Sequence, residues 1–118
     1  MNFFAARELV DERIRFDIWS NTCRILGVEQ EDINEYEKRA IAYAQTTTRP
    51  NSDVVEAARA AVLAALMRGE PFPADPEAAI KHEQLLFLAK LLQDRAEADR
   101  RFRILSESLL KRYKEENQ

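Results

Sequence analysis

Residues 71–118 read PFPADPEAAIKHEQLLFLAKLLQDRAEADRRFRILSESLLKRYKEENQ. Pro71, Pro73 and Pro76 stand at the start, and from Glu77 to Gln118 there is neither glycine nor proline. Asp75, Pro76 and Glu77 form a helix-start signal: a capping carboxylate, a proline at the first helical position, an acid in the first turn. The segment therefore predicts a long helix from Pro76 to about Lys114. The polar stretch Gln93–Arg101 is where it would break, near Asp94, into two. One helix over this span would be roughly 60 Å long at about 1.5 Å per residue. That is too long for 118 residues to bury alone, so part of it is expected to meet a partner.

Within this helix Leu85, Leu86, Phe87, Leu88, Leu91 and Leu92 cover nearly every direction around the axis, which predicts a place inside the core. Further on, the pattern thins to a seam. Leu88, Leu91, Arg95, Ala98, Phe102, Leu105, Leu109 and Arg112 are spaced 3, 4, 3, 4, 3, 4, 3, and six of these eight are apolar. Glu97–Arg101, Asp99–Arg103 and Glu107–Lys111 are i, i+4 pairs in the favourable orientation. A narrow seam with charged flanks suits a coiled-coil-like contact. The expected partner-binding residues are Leu91, Arg95, Ala98, Phe102, Leu105 and Leu109. A buried seam arginine costs stability unless paired. Arg95 thus either sets register against a carboxylate of a second chain, such as Asp94 or Asp99, or lies at an exposed edge with its head in water.

Upstream, three shorter helices are predicted. The first runs from about Phe4 to Leu26, with Val10, Ile14 and Ile18 at i, i+4, i+8 and an adjacent stripe of Trp19, Cys23 and Leu26. Asp11–Arg15 is a favourable pair within it, and Gly27 is placed to cap it. Ile14, Phe16 and Ile18 also alternate as a strand would, but no strand partner exists elsewhere in the chain. The second runs from about Glu31 to Gln45, with Ile33, Tyr36, Ala40, Tyr43 and Ala44 as its apolar face. Glu29, Glu31, Asp32, Glu35 and Glu37 crowd its start, which suits the positive end of the helix dipole. Thr46–Ser52 reads as a loop, since β-branched residues and Pro50 oppose helix. The third runs from Asp53 or Val54 to Arg68, with Asp53 and Glu56 as a capping box and Ser52 as the rival cap. Val54, Val55, Ala58, Val62, Ala65 and Leu66 give it a small-residue face, and Gly69 ends it.

Composition agrees with an all-α chain. Apolar residues make up 46% and charged residues 33%, a globular balance. The only glycines are Gly27 and Gly69, which disfavours tight hairpins. The expected architecture is a single all-α domain over 1–118: a helical bundle of three shorter helices, with the long helix of 76–118 reaching towards a partner.

The net charge of −3 opposes attraction of the whole chain to a phosphate backbone. One cysteine, Cys23, cannot form an internal disulfide, which fits a reducing, cytoplasmic setting. The N-terminus has no basic region followed by a long apolar one, so no secretion signal is expected. No run approaches a membrane span, so no membrane is expected among the partners.

Chemistry-bearing motifs are sparse. Glu8 with Asp11, and Glu29 with Asp32, have a Glu-x-x-Asp spacing. The spacing resembles the pairs with which all-α nucleotide pyrophosphatases of the MazG and dUTPase kind hold magnesium, since one helical turn brings two carboxylates to one face. That resemblance would imply a magnesium-dependent hydrolase, but the family's fuller doubled-acid pattern is missing and Glu29 precedes its helix. The acids read better as a solvated face. His82, the only histidine, has no nucleophile or metal motif beside it and is expected at the surface or core edge. Cys23 is expected to be a buried thiol. No catalytic residue, metal or cofactor is assigned.

Arg100, Arg101 and Arg103 flank Phe102 and form the densest basic cluster, a pattern that can contact nucleic acid. Asp94, Glu97 and Asp99 just upstream largely cancel its field, and the Thr46–Ser52 loop is too long for a helix-turn-helix. Nucleic acid is therefore the alternative partner. The leading expectation is a non-enzymatic, cytosolic protein–protein interaction protein, of adaptor, inhibitor or assembly-factor type. It would self-associate, most simply as a homodimer, through its C-terminal helix. The acids from Glu29 to Glu37 offer a second contact for a basic partner.

Overall fold

A computed structural model describes the backbone of residues 3–117 and the side chains of residues 9–117. Among the described residues there are four helices and no strand: α1 (Phe3–Ile25), α2 (Gln30–Ala44), α3 (Asn51–Met67) and α4 (Pro76–Glu116). The long C-terminal helix is continuous through Asp94. The chain divides into two compact units, Met1–Glu83 and Gln84–Gln118.

In the first unit α1, α2 and α3 pack together, and both glycines stop helices as expected. Gly27 and Gly69 have φ of 93° and 78°, a region that L side chains seldom enter. At Gly27 the amide of Val28 donates to the Cys23 carbonyl at 3.0 Å and that of Gly27 to Arg24 at 3.0 Å. At Gly69 the corresponding bonds run from Glu70 to Ala65 and from Gly69 to Leu66. Both ends are Schellman motifs, which satisfy carbonyls that would otherwise lack donors. α2 ends differently: the hydroxyls of Thr46 and Thr47 donate to the carbonyls of Tyr43 and Ala44 at 2.8 and 3.1 Å.

The start of α3 corrects the sequence reading. Neither Asp53 nor Ser52 caps it; Pro50 is the N-cap, with no side-chain bond, and its carbonyl accepts from the amides of Asp53 and Val54. The helix thus begins earlier, and Asp53 lies in its first turn as a dipole partner. The start of α4 is as predicted: the amide of Glu77 donates to Oδ1 of Asp75 at 3.0 Å.

The core is built from Trp19 and Cys23 of α1, Ile33, Tyr36, Ala40 and Ala44 of α2, and Val54, Val55, Ala58 and Val62 of α3. Phe72, between two prolines of the linker, packs on it, with its ring centroid 5.5 Å from that of Tyr36. The faces predicted for α2 and α3 are the buried ones, with Tyr43 and Leu66 at their partly buried margins.

On α1 two of the three residues of the adjacent stripe are buried instead of the leading stripe; the third, Leu26, is 43% exposed. Val10, Ile14 and Ile18 are 50–63% exposed, whereas Trp19 and Cys23 are buried. Tryptophan removes more apolar area from water than isoleucine and can satisfy its N–H, so its face wins the core. α4 brings only Pro76, Ala79 and Ile80 into the buried set. The leucine-rich run from Leu85 to Leu92 was expected in the core; its large apolar side chains are 40–66% exposed. The core of the first unit is already closed by the aromatic and small residues named above.

Candidate interaction surface on the C-terminal helix

The second unit is the rest of α4. Its backbone is helical without interruption to Glu116, so the 3-4 spacing fixes the seam residues along one narrow face. Leu88, Leu91, Phe102, Leu105 and Leu109 are 48–73% exposed. Arg95 and Ala98 lie exposed within the same line. Among the described residues from 84 on, none is buried.

The flanks carry the charge. Arg101 holds its expected helical pair, donating to Glu97 at 2.7 Å. Arg100, Arg101 and Arg103 are all exposed, but Asp94, Glu97 and Asp99 share the same turns of helix. The basic cluster is thus an interleaved surface, and three arginines in four positions spread around the axis.

In the first unit one ion cluster was not foreseen. Arg59 is buried, 6% exposed. Its guanidinium donates to Oε1 of Glu37 at 2.5 Å and Oε1 of Glu12 at 2.8 Å. Its carbon lies 5.8 and 5.9 Å from the ring centroids of Phe16 and Trp19, within cation–π range. Burial works against the charge, but the hydrogen bonds and charge of Glu37, then of Glu12, outweigh it and raise the Arg59 pKa. The signal available in the sequence was an arginine among alanines on a helix otherwise apolar at Ala58, Ala61 and Val62. Arg15 pairs with Glu56 of α3 at 2.6 Å rather than with Asp11.

The acidic start of α2 is partly consumed by such contacts. Glu37 serves Arg59, and Glu35 pairs with Arg39 at 3.2 Å. Glu29, Glu31 and Asp32 remain exposed. Of the magnesium-like pairs, the Glu8 side chain lies outside the described residues, and Glu29 is the N-cap of α2, outside the helix proper. Among the described residues no group of three or more histidine, cysteine, aspartate and glutamate side chains is placed to hold a metal ion.

His82 lies at the surface. Its Nε2 is 3.9 Å from Oε2 of Glu70, at the rim of a groove floored by Ala61, Ala65 and Ala79. Arg68 donates to both Glu70 and Glu83 beside it, which raises the Arg68 pKa and lowers that of Glu70. Cys23 is fully buried, as expected, and burial pushes its thiol up to about 11.

No helix among the described residues is long and apolar enough to cross a membrane. Compared with protein-family models, with curated proteins and with solved structures, the chain matches none.

Proposed function

We propose that this is a cytoplasmic protein that works by binding other proteins and that associates with itself through the face of α4 running from Leu91 to Leu109. One observation carries the reading: large apolar side chains repeat along one line of α4 and stay in water, with Phe102 at 73% and Leu105 at 58% exposure. A regular apolar line on a charged helix gains stability only when a second surface covers it. Leu91, Ala98, Phe102, Leu105 and Leu109 form the line in this reading, and Arg95 sits within it. The lone buried thiol of Cys23 suits a reducing compartment.

Light scattering tests the reading. A mass of twice 13.7 kDa at micromolar concentration, falling to that of one chain in Leu105→Asp, is the expected result. A single-chain mass up to high micromolar concentration, unmoved by Leu105→Asp, would rule the reading out.

A further inference from the structure

We infer that the occupant of the α4 face is a second copy of this chain lying antiparallel, with Leu88 against the partner's Leu105 and Leu91 against the partner's Phe102. This rests on the self-association just proposed and adds its orientation and register. Charge decides the orientation. In a parallel, in-register pair each seam residue meets its own copy. Arg95 would then face the partner's Arg95, and Arg112 the partner's Arg112. The flanking positions would set Asp94 beside the partner's Asp99, twice. Buried like charges and acid against acid make that arrangement costly.

Reversing one helix removes all of these conflicts in one register. With Leu88 opposite the partner's Leu105 and Leu91 opposite the partner's Phe102, Arg95 falls opposite the partner's Ala98. That small side chain leaves room for a guanidinium, and the partner's Asp99 is adjacent. On the other flank Asp94 lies beside the partner's Arg101. Each contact occurs twice by symmetry. Leu109 falls opposite the partner's Gln84, and Arg112 comes level with the partner's Lys81, an exposed lysine outside the paired stretch of 84–109. Sliding by one heptad in either direction restores a conflict, Asp94 with its own copy or Arg101 with its own copy. The paired stretch, 84–109, lies wholly within the second unit. Arg101 and Asp94 are both exposed and accessible.

Cysteine cross-linking in a Cys23→Ala background tests the orientation. Leu88 and Leu105 are 17 positions apart, roughly 25 Å along a helix, whereas a disulfide needs Cα atoms within about 7 Å. An equimolar mixture of Leu88→Cys and Leu105→Cys chains is expected to oxidise to a mixed dimer, while Leu105→Cys alone is not. Dimers of Leu105→Cys alone would overturn the antiparallel arrangement and leave self-association standing, as would a dimeric chain whose mixture fails to cross-link. A monomeric unsubstituted chain would overturn both. Charge variants keep Cys23 and give an independent reading. Asp94→Arg and Arg101→Asp are each expected to weaken dimerisation at least fivefold, and the double variant to recover it. A double variant as weak as the singles would overturn the register.

Discussion

The indole Nε1 of Trp19 donates to the backbone carbonyl of Arg59 at 3.0 Å, joining α1 to α3 across 40 positions of sequence. The same Arg59 sends its side chain to Glu12 of α1 and Glu37 of α2. One residue of α3 therefore contacts both neighbouring helices, through its backbone and through its charge.

Arg59→Ala is expected to destabilise the first unit by about 3 kcal/mol, because it strands the carboxylate of Glu37 in a largely buried place. Glu12 is half exposed and rehydrates. Arg15→Ala, which breaks the exposed pair with Glu56, is expected to cost less than about 1 kcal/mol. Urea denaturation followed by circular dichroism distinguishes the two. Equal effects would contradict the part assigned to burial.

Tyr36→Phe removes the donor that reaches the carbonyl of Ala58 at 2.7 Å. The ring is retained, so packing on Phe72 and Trp19 persists. A loss of about 0.5–1.5 kcal/mol is expected, the net worth of one buried hydrogen bond, because the Ala58 carbonyl lies inside α3 and keeps its helical donor. Ile33→Ala, at a site with no exposure, is expected to cost more, about 2–5 kcal/mol. Denaturant midpoints of the two variants rank these effects.

Stability is expected to fall at alkaline pH. The Cys23 thiol ordinarily titrates near 9.0 and is pushed up to about 11 by burial. The folded state thus favours the neutral thiol. This contribution is whole below pH 9 and is lost as pH rises from 9 through 11. Tyr36 acts in the same direction, its pKa raised by burial first and then by the charges of Asp75, Cys23 and Glu37. Urea midpoints between pH 8 and 10.5 check the slope, and Cys23→Ala should flatten its lower part. Iodoacetamide at pH 8 should label Cys23 slowly in buffer and rapidly in urea.

Leu105→Asp is expected to abolish self-association and leave the unfolding of the first unit unchanged, since Leu105 is 58% exposed and lies outside the core. A matched thermal melt beside the light-scattering measurement checks both halves. A large drop in stability without dissociation would contradict the assignment.

Residues whose message is local were legible in the sequence. Asp75–Pro76–Glu77 signalled the start of α4, and Gly27 and Gly69 signalled the ends of α1 and α3, because caps depend on a few adjacent atoms. The faces of α2 and α3 were legible because their β-branched and aromatic residues, Ile33 and Tyr36 on α2 and Val54, Val55 and Val62 on α3, mark one side, although Ile41 and Met67 lie off it and stay exposed. The spacing of Leu91, Phe102, Leu105 and Leu109 told that a helix would set them along one line, and they lie exposed on α4. What failed needed knowledge of competition. Val10, Ile14 and Ile18 form as regular a line as Trp19 and Cys23, and only packing against α2 and α3 decides between them. Leu85 to Leu92 looked like core because hydrophobicity around a whole helix usually means burial. Arg59 gave little warning, since a buried cation is defined by Glu12 and Glu37, distant in sequence and close in space.

The position of the last core residue, Ile80, divides the chain by what natural selection can change at low cost. The buried residues before it hold one another in place, so a substitution among them must be compensated by its neighbours. From Gln84 on, a new side chain displaces nothing in that core. Lineages can therefore remodel the exposed side chains of α4 while the three-helix core stays as it is.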